Sequence, residues 1–325
     1  MVEAAAWPRG GWGMRRALTR VLGAPAPARV LKRAMDPYAL RVVCYHSVAD
    51  HHPFLPRHLY VTPAGFRAQM AHLARVFNVV ALSRLEEVRE RRVRHPLAVT
   101  FDDGLADGHD AALPILAELG LPATFYLSAQ PYAPRPEPLW THTVYQLAAA
   151  LGARAVAAAL DVPSAADASD ATALVRALRP YAADPALHRR LARLRAEHVA
   201  GDGEPRYLDA EMVGRMRAAG MEIGAHGHTH HDLSRCADLE VECERARAIV
   251  EGVAGTEVHT FAYPFGDPDS FDARTQAHVR RVFAAACTTL PRVNPRAALG
   301  AGLIHRVCAY EMPAEKLTLK LLLGI

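Results

Sequence analysis

From Leu40 to Cys308 short β-branched runs alternate with segments of helical apolar period, most of them punctuated by Gly or Pro. A chain patterned this way is driven toward a parallel α/β sheet. Arg41–Tyr45, Leu97–Phe101, Ala123–Ser128, Met221–Ala225, Val258–Tyr263, Ala284–Thr288 and Leu303–Cys308 read as strands. Thr62-Pro63 reads as an N-cap with proline at the first helical position, and Phe66, Met70, Leu73 and Phe77 then share one helix face. Ser83-Arg84-Leu85-Glu86 has the spelling of a capping box. Further helices are expected at Asp107–Leu119, from Asp209 to Gly220, and near Asp238–Glu251 and Asp272–Val282. About eight strands in this alternation make a barrel or an open sheet, and in both the site lies at the C-terminal ends of the strands.

Two stretches break the rhythm. Residues 1–38 read as a basic leader outside a domain of residues 39–325. Its segment from Arg15 to Met35 suits an anionic membrane surface or a solvated helix packed on the domain. Residues 129–205 open with a Pro-rich loop and continue Ala-, Leu- and Arg-rich, which reads as a helical insertion. A net charge of +4, with no basic run interleaved with aromatics, gives no ground for expecting nucleic acid. Five cysteines without a C-x-x-C pair argue against a disulfide framework and for a reducing compartment. The leader lacks the apolar core of a secretory signal, and no run of about 18 apolar residues is present. The expectation is a cytoplasmic protein, at most peripheral at the inner membrane surface.

Two motifs fall at strand ends. "VTFDDG" sets Asp102 and Asp103 side by side, and like charges so placed repel unless a cation holds them. "HGHTHHDL" follows the strand at 221–225 and carries His226, His228, His230 and His231. If the chain turns helically there, His226 and His230 share a face. Two imidazoles and one carboxylate make the open three-ligand set of a catalytic zinc ion, leaving the other aspartate free to take a proton from water. Singly, each motif has an ordinary reading, a helix cap or a solvated loop; together at strand ends of one sheet they point to a metal. His226-Gly227-His228 also has the H-x-H spelling of an amidohydrolase-type barrel, but that pair normally ends the first strand.

With these residues the chain resembles the polysaccharide deacetylase family, the NodB homology domain of carbohydrate esterase family 4. "TFDDG" at 100–104 matches the family's first motif, "HGHTH" at 226–230 its second, and "FAYPFG" at 261–266 a variant of its third that is similar to the deacetylases of exopolysaccharide biosynthesis. The flanking "YHSV" at 45–48, "ALPILAELGLPATFYL" at 112–127 and "RMRAAGMEIGAH" at 215–226 match too, so the resemblance spans about 41 to 307 outside the insertion. It implies a distorted, incomplete β/α barrel that hydrolyses N-acetyl groups on hexosamines of a glycan. It implies one divalent metal ion, zinc with nickel or cobalt as alternatives, held by Asp103, His226 and His230. Asp102 would be the general base, the Phe265 N–H an oxyanion donor, and Tyr263, Pro264 and His305 substrate contacts.

Three departures from the family pattern matter. Gly227 stands where Ser or Thr is usual, removing a hydrogen bond near the metal. Ala262 stands where an Arg commonly pairs with the base, so Asp102 is expected to lack a cation and to be less depressed in pKa. The later Leu-x-His motif that supplies the acid is present only as Leu303-Ile304-His305, with Arg306 next. His46, after the first strand, is the rival acid. Tyr132, Trp140 and His142 offer rings for a sugar groove, against the default of an apolar helix face; Asp107 and His109 read as helix-start residues. A metal-bearing homologue that only binds glycan stays open, as do a polymer, a lipid-linked sugar and a small amino sugar as acceptor.

Overall fold

A computed structural model describes residues 36–199 and 204–325, so the leader expected at 1–38 lies outside it up to residue 35. The strands are β1 Arg41–Tyr45, β2 Ser47–Val48, β3 Tyr60–Val61, β4 Asn78–Val79, β5 Pro96–Phe101, β6 Thr124–Leu127, β7 Glu222–Ala225, β8 Thr260–Ala262, β9 Ala285–Cys287, β10 Leu303–Ile304 and β11 Val307–Cys308. One parallel sheet runs β10-β9-β8-β7-β6-β5-β1-β11, with β4 beside β5, and β2 pairs with β3. The two ends of that order are consecutive in the chain, separated only by His305 and Arg306. The sheet therefore curls until one short segment bonds β9 on one side and β1 on the other. This is the incomplete β/α barrel expected, with the strand anticipated at 303–308 split into two.

The period of two decides what fills the barrel. Val43, Tyr45, Val99, Phe101, Phe125, Leu127 and Phe261 point outward into the largest apolar cluster, under the helices. Val42, Ala98, Tyr126, Ala262, Cys287 and Ile304 point inward into a separate one. Tyr126 fits only because its β7 neighbour is glycine: a Cβ on Gly224 would stand 2.4 Å from the Tyr126 ring.

Helix starts follow the local chemistry. The Thr62, Asp209 and Asp272 side chains accept from the amides of Gly65, Met212 and Thr275, and Asp272 closes a capping box with Thr275. The capping box expected at Ser83 does not form. The Leu82 and Ser83 amides donate instead to the Glu222 carboxylate at the start of β7, at 2.9 and 3.0 Å, which takes the place the Glu86 side chain would have filled. The helices expected from Asp107 and from about Asp238 open with wide π-type turns at Gly108–Ala112 and Val241–Arg245.

Within residues 129–205 the chain forms helices at Trp140–Leu151, Ala153–Leu160, Ala171–Leu178 and Pro185–His198. These helices share an apolar cluster with Phe54, Leu55 and Tyr60 of the chain around β3. Among the described residues no single helix is long and apolar enough to cross a membrane, and the five cysteines are free.

Candidate active site

Because every strand of the sheet is parallel, the ends of β1, β5, β7, β8 and β9 share one rim. The residues just beyond them converge on a cavity of about 80 Å³ lined by His46, Asp102, Asp103, His226, Phe265 and Thr289, with His230 from the loop after β7 and Thr141 and Tyr145 from the insertion.

Asp103, His226 and His230 form one buried group whose ligand atoms lie within 4.8 Å of one another. The Nε2 atoms of both histidines stand 3.4 Å from Asp103 Oδ1, which is buried and accepts no hydrogen bond. His226 Nδ1 lies 2.8 Å from the Ala262 carbonyl, which fixes its proton there and turns the Nε2 lone pair toward Asp103. Burial alone would raise the Asp103 carboxyl, but His142, His226 and His230 hold it well below its usual range. An orphaned carboxylate oxygen between two imidazole nitrogens fits a divalent metal.

The histidines do not meet by helical spacing. Residues 226–231 form a loop in which Gly227 has φ +74° and His230 φ +60°; Asp103 itself has φ +72°. Non-glycine residues held in the left-handed region cost on the order of 1–3 kcal/mol each and persist where the surroundings over-determine them. In the 226–231 loop Glu242 does so. Its buried carboxylate accepts from the amides of His228 and Thr229 and from the Thr229 hydroxyl. A Cβ on Gly227 would stand 3.2 Å from both Glu242 and Pro264, a tight fit, and the φ of +74° would strain any side chain there, which favours glycine over the usual Ser or Thr. The sequence reading missed Glu242, which is one acidic residue in a charged helix start.

The cation expected to be missing beside Asp102 is present. Arg306 donates through Nη1 to Asp102 Oδ1 and through Nη2 to Oδ2, both at 2.7 Å, and Cys44 Sγ lies 3.2 Å from Oδ2. Burial would raise the Asp102 carboxyl, but the Arg306 charge outweighs it and holds it at about 2. The expectation from Ala262 is therefore corrected: the guanidinium comes from Arg306, in the seam between β10 and β11.

His46 lies on the cavity, with a ring nitrogen within 4.8 Å of an Asp102 oxygen and a buried Nδ1 that has no partner. Burial pushes its pKa down against the pull of Asp103 and Asp102. His305 does not reach the cavity: its Nδ1 lies 2.9 Å from Thr288 Oγ1, and Asn294 holds its backbone. Tyr263 and Pro264 are also not brought to the cavity. Tyr263 is 1% exposed and stacks on Phe271 in the outer core, while Pro264 packs against Gly227. They shape the turn instead. The Gly266 amide bonds the Pro264 carbonyl at 2.7 Å across Phe265, whose φ is +60°. The Thr289 hydroxyl anchors the Phe265 carbonyl at 2.6 Å, and the Phe265 amide donates to no acceptor among the described residues.

Tyr132, Trp140 and His142 do not line the cavity. Trp140 is buried and donates from Nε1 to the His230 carbonyl at 2.9 Å; His142 reaches Asp103; the Tyr132 hydroxyl is buried near Gly104. Arg179 pairs with both Asp232 and Asp267 and lies 4.2 Å from the centre of the Phe265 ring. His228 holds the loop through its backbone and His231 is buried against His188, neither joining the Asp103 group.

Asp107 is more than a helix-start residue. It accepts from Ser47 Oγ, and burial pushes it up to about 7. An acid with a raised folded pKa keeps its proton while the unfolded chain loses it near pH 4. Stability should therefore fall as pH rises from about 4 to 7, by on the order of 2–4 kcal/mol, and level off above. In Asp107→Asn that slope should flatten, with a higher melting temperature at pH 7.5. An unchanged slope would assign the pH dependence elsewhere.

A family model described as polysaccharide deacetylase matches residues 89–282. Among curated proteins, none matches the chain. Solved structures share the fold, among them the following three. The polysaccharide deacetylase BC0361 from Bacillus cereus is 20% identical over 87% of this chain and 69% of its own, with a TM-score of 0.57. The Streptococcus pyogenes deacetylase PplD, solved with acetate, is 15% identical over 88% and 99%, with a TM-score of 0.58. IcaB from Ammonifex degensii is 17% identical over 87% and 97%, with a TM-score of 0.53.

Proposed function

We propose, because the chain belongs to the polysaccharide deacetylase family, that it hydrolyses N-acetyl groups on the hexosamines of a glycan with one divalent metal at Asp103, His226 and His230. A metal held there would polarise the acetyl carbonyl and make water more acidic; zinc suits the N/O ligands, as do nickel and cobalt. The observation that carries this reading is Asp103 Oδ1, buried, free of hydrogen bonds and 3.4 Å from each Nε2.

The chain's own residues divide the remaining work. Asp102 is ionised and stands beside that group, so it accepts a proton as water oxygen bonds to the acetyl carbon. The Phe265 N–H donates to the carbonyl oxygen as it gathers charge. His46, neutral through burial, takes the proton on from Asp102 and gives it to the amine nitrogen as the C–N bond breaks. Acetate and a free amine leave. A cavity of about 80 Å³ takes the acetamido group and leaves the sugar ring outside, since whole-ligand pockets are typically about 300 Å³ or more.

Acetate release from a panel of N-acetylated glycans, beside metal analysis of the purified protein, tests the reading. The YPFG-type third motif directs the proposal to exopolysaccharide-type polymers; release only from lipid-linked or small amino sugars would redirect it. His226→Ala should lose most of its metal. His46→Ala should keep metal and lose about 100-fold in turnover, while His305→Ala keeps both. Full metal occupancy in His226→Ala would sink the ligand assignment, and a larger loss in His305→Ala than in His46→Ala would reverse the acid assignment.

A further inference from the structure

We propose that His142, carried in by the insertion, is a positioning residue that decides which oxygen of Asp103 faces the metal position; this rests on the metal reading above. His142 is 1% exposed, and its Nε2 lies 3.3 Å from Asp103 Oδ2, the oxygen that does not face the two histidine ligands. Its Nδ1 lies 2.8 Å from the Tyr207 hydroxyl, and that hydroxyl accepts the Leu139 amide at 3.0 Å. Asp103 Oδ2 is a carboxylate oxygen and only accepts, so the Nε2 that faces it donates. The Tyr207 hydroxyl, which already accepts the Leu139 amide, can then give its own hydrogen to Nδ1 and hold the ring in that state.

The ring cannot swing away. It stacks on Tyr207 at 5.8 Å and 18°, and Phe54 packs against it at 5.7 Å. His142 is outside the group whose ligand atoms converge, and it does not line the cavity, so it is neither a ligand nor a substrate contact. What it does is hold Oδ2 and leave Oδ1 as a single-oxygen ligand. The same helix fixes a second ligand, because Trp140 donates to the backbone carbonyl of His230. The first turn of the helix Trp140–Leu151 thus clamps Asp103 and His230 at once. The insertion is part of the metal site rather than an ornament on the barrel.

Outer partners of this kind are typically worth about 10- to 100-fold in metal affinity. The test is zinc affinity of the full chain, measured by competition with a chromophoric chelator, together with the visible spectrum of the cobalt-loaded protein and the melting temperature without metal. His142→Ala should weaken zinc about 10- to 100-fold and change the cobalt spectrum as Asp103 becomes free to rotate. His142→Gln, which can present an N–H near the same place, should recover most of the affinity. Tyr207→Phe should weaken zinc by a smaller factor, because the imidazole tautomer is no longer fixed. If His142→Ala does not fold, the Gln and Tyr207→Phe variants decide. Wild-type affinity in Tyr207→Phe and in His142→Ala, whatever their melting temperatures, would overturn the proposal while leaving the metal site standing. A wild-type chain that binds no zinc or cobalt would remove both.

Discussion

Asp102→Asn should keep its metal and lose at least about 100-fold in acetate release, the usual scale for a positioned base. The substitution preserves shape and removes the one thing the reaction needs from this side chain, an acceptor for a proton. It also disturbs the pairing. Arg306 donates to both Asp102 oxygens at 2.7 Å, and an Asn would set its NH2 against one of those donors. That lost bond should lower stability by about 1–3 kcal/mol, so turnover must be measured on variant shown to be folded and metal-loaded. The metal should stay because Asp102 is not one of the Asp103, His226 and His230 group that is proposed to hold it. Loss of metal would mean that the two aspartates have exchanged roles. A loss of turnover below about 10-fold would mean that the base lies elsewhere.

Asp102, Asp103, His226 and His230 were legible because apolar runs disclose strands, and a parallel sheet turns "end of a strand" into "one rim" without any knowledge of contacts. The means by which His226 and His230 meet was not legible. Helical spacing predicts a shared face, but the loop instead uses left-handed residues held down by Glu242, a contact that leaves no periodic signal. Arg306 was hidden for another reason. Alternation from the inward Ile304 already aims Arg306 into the barrel, but only the curling of the sheet brings that residue, between β10 and β11, to Asp102. The charge that Ala262 does not supply therefore arrives from a different strand. His142 carried the wrong expectation because a ring in an apolar helix looks alike whether it faces a sugar or a buried carboxylate. Only the docking of the insertion on the rim decides between them.

Arg306→Met should destabilise the metal-free protein by about 3–5 kcal/mol, the range for removing one partner of a buried ion pair. The reasoning starts from burial: Arg306 is 0% and Asp102 2% exposed, so neither charge is repaid by water. Arg306 is held on all sides. Its Nε donates to the Thr288 carbonyl, Nη1 also to Thr100 Oγ1, and its guanidinium lies 5.6 Å from the centre of the Tyr126 ring. A methionine fills much of that space but leaves Asp102 with the Cys44 thiol as its remaining side-chain partner. A carboxylate so placed must stay ionised at the cost of desolvation or take up a proton. If that is the source of the loss, removing the carboxylate as well should restore much of it. Arg306→Met with Asp102→Leu should then be markedly more stable than the sum of the two single variants, with a coupling of about 0.5–3 kcal/mol or more, the usual range for side chains in contact. Urea unfolding of the four proteins measures this. An Arg306→Met variant within about 1 kcal/mol of wild type, or strict additivity, would show that Arg306 fills the seam of the barrel as bulk rather than holding the base as a charge.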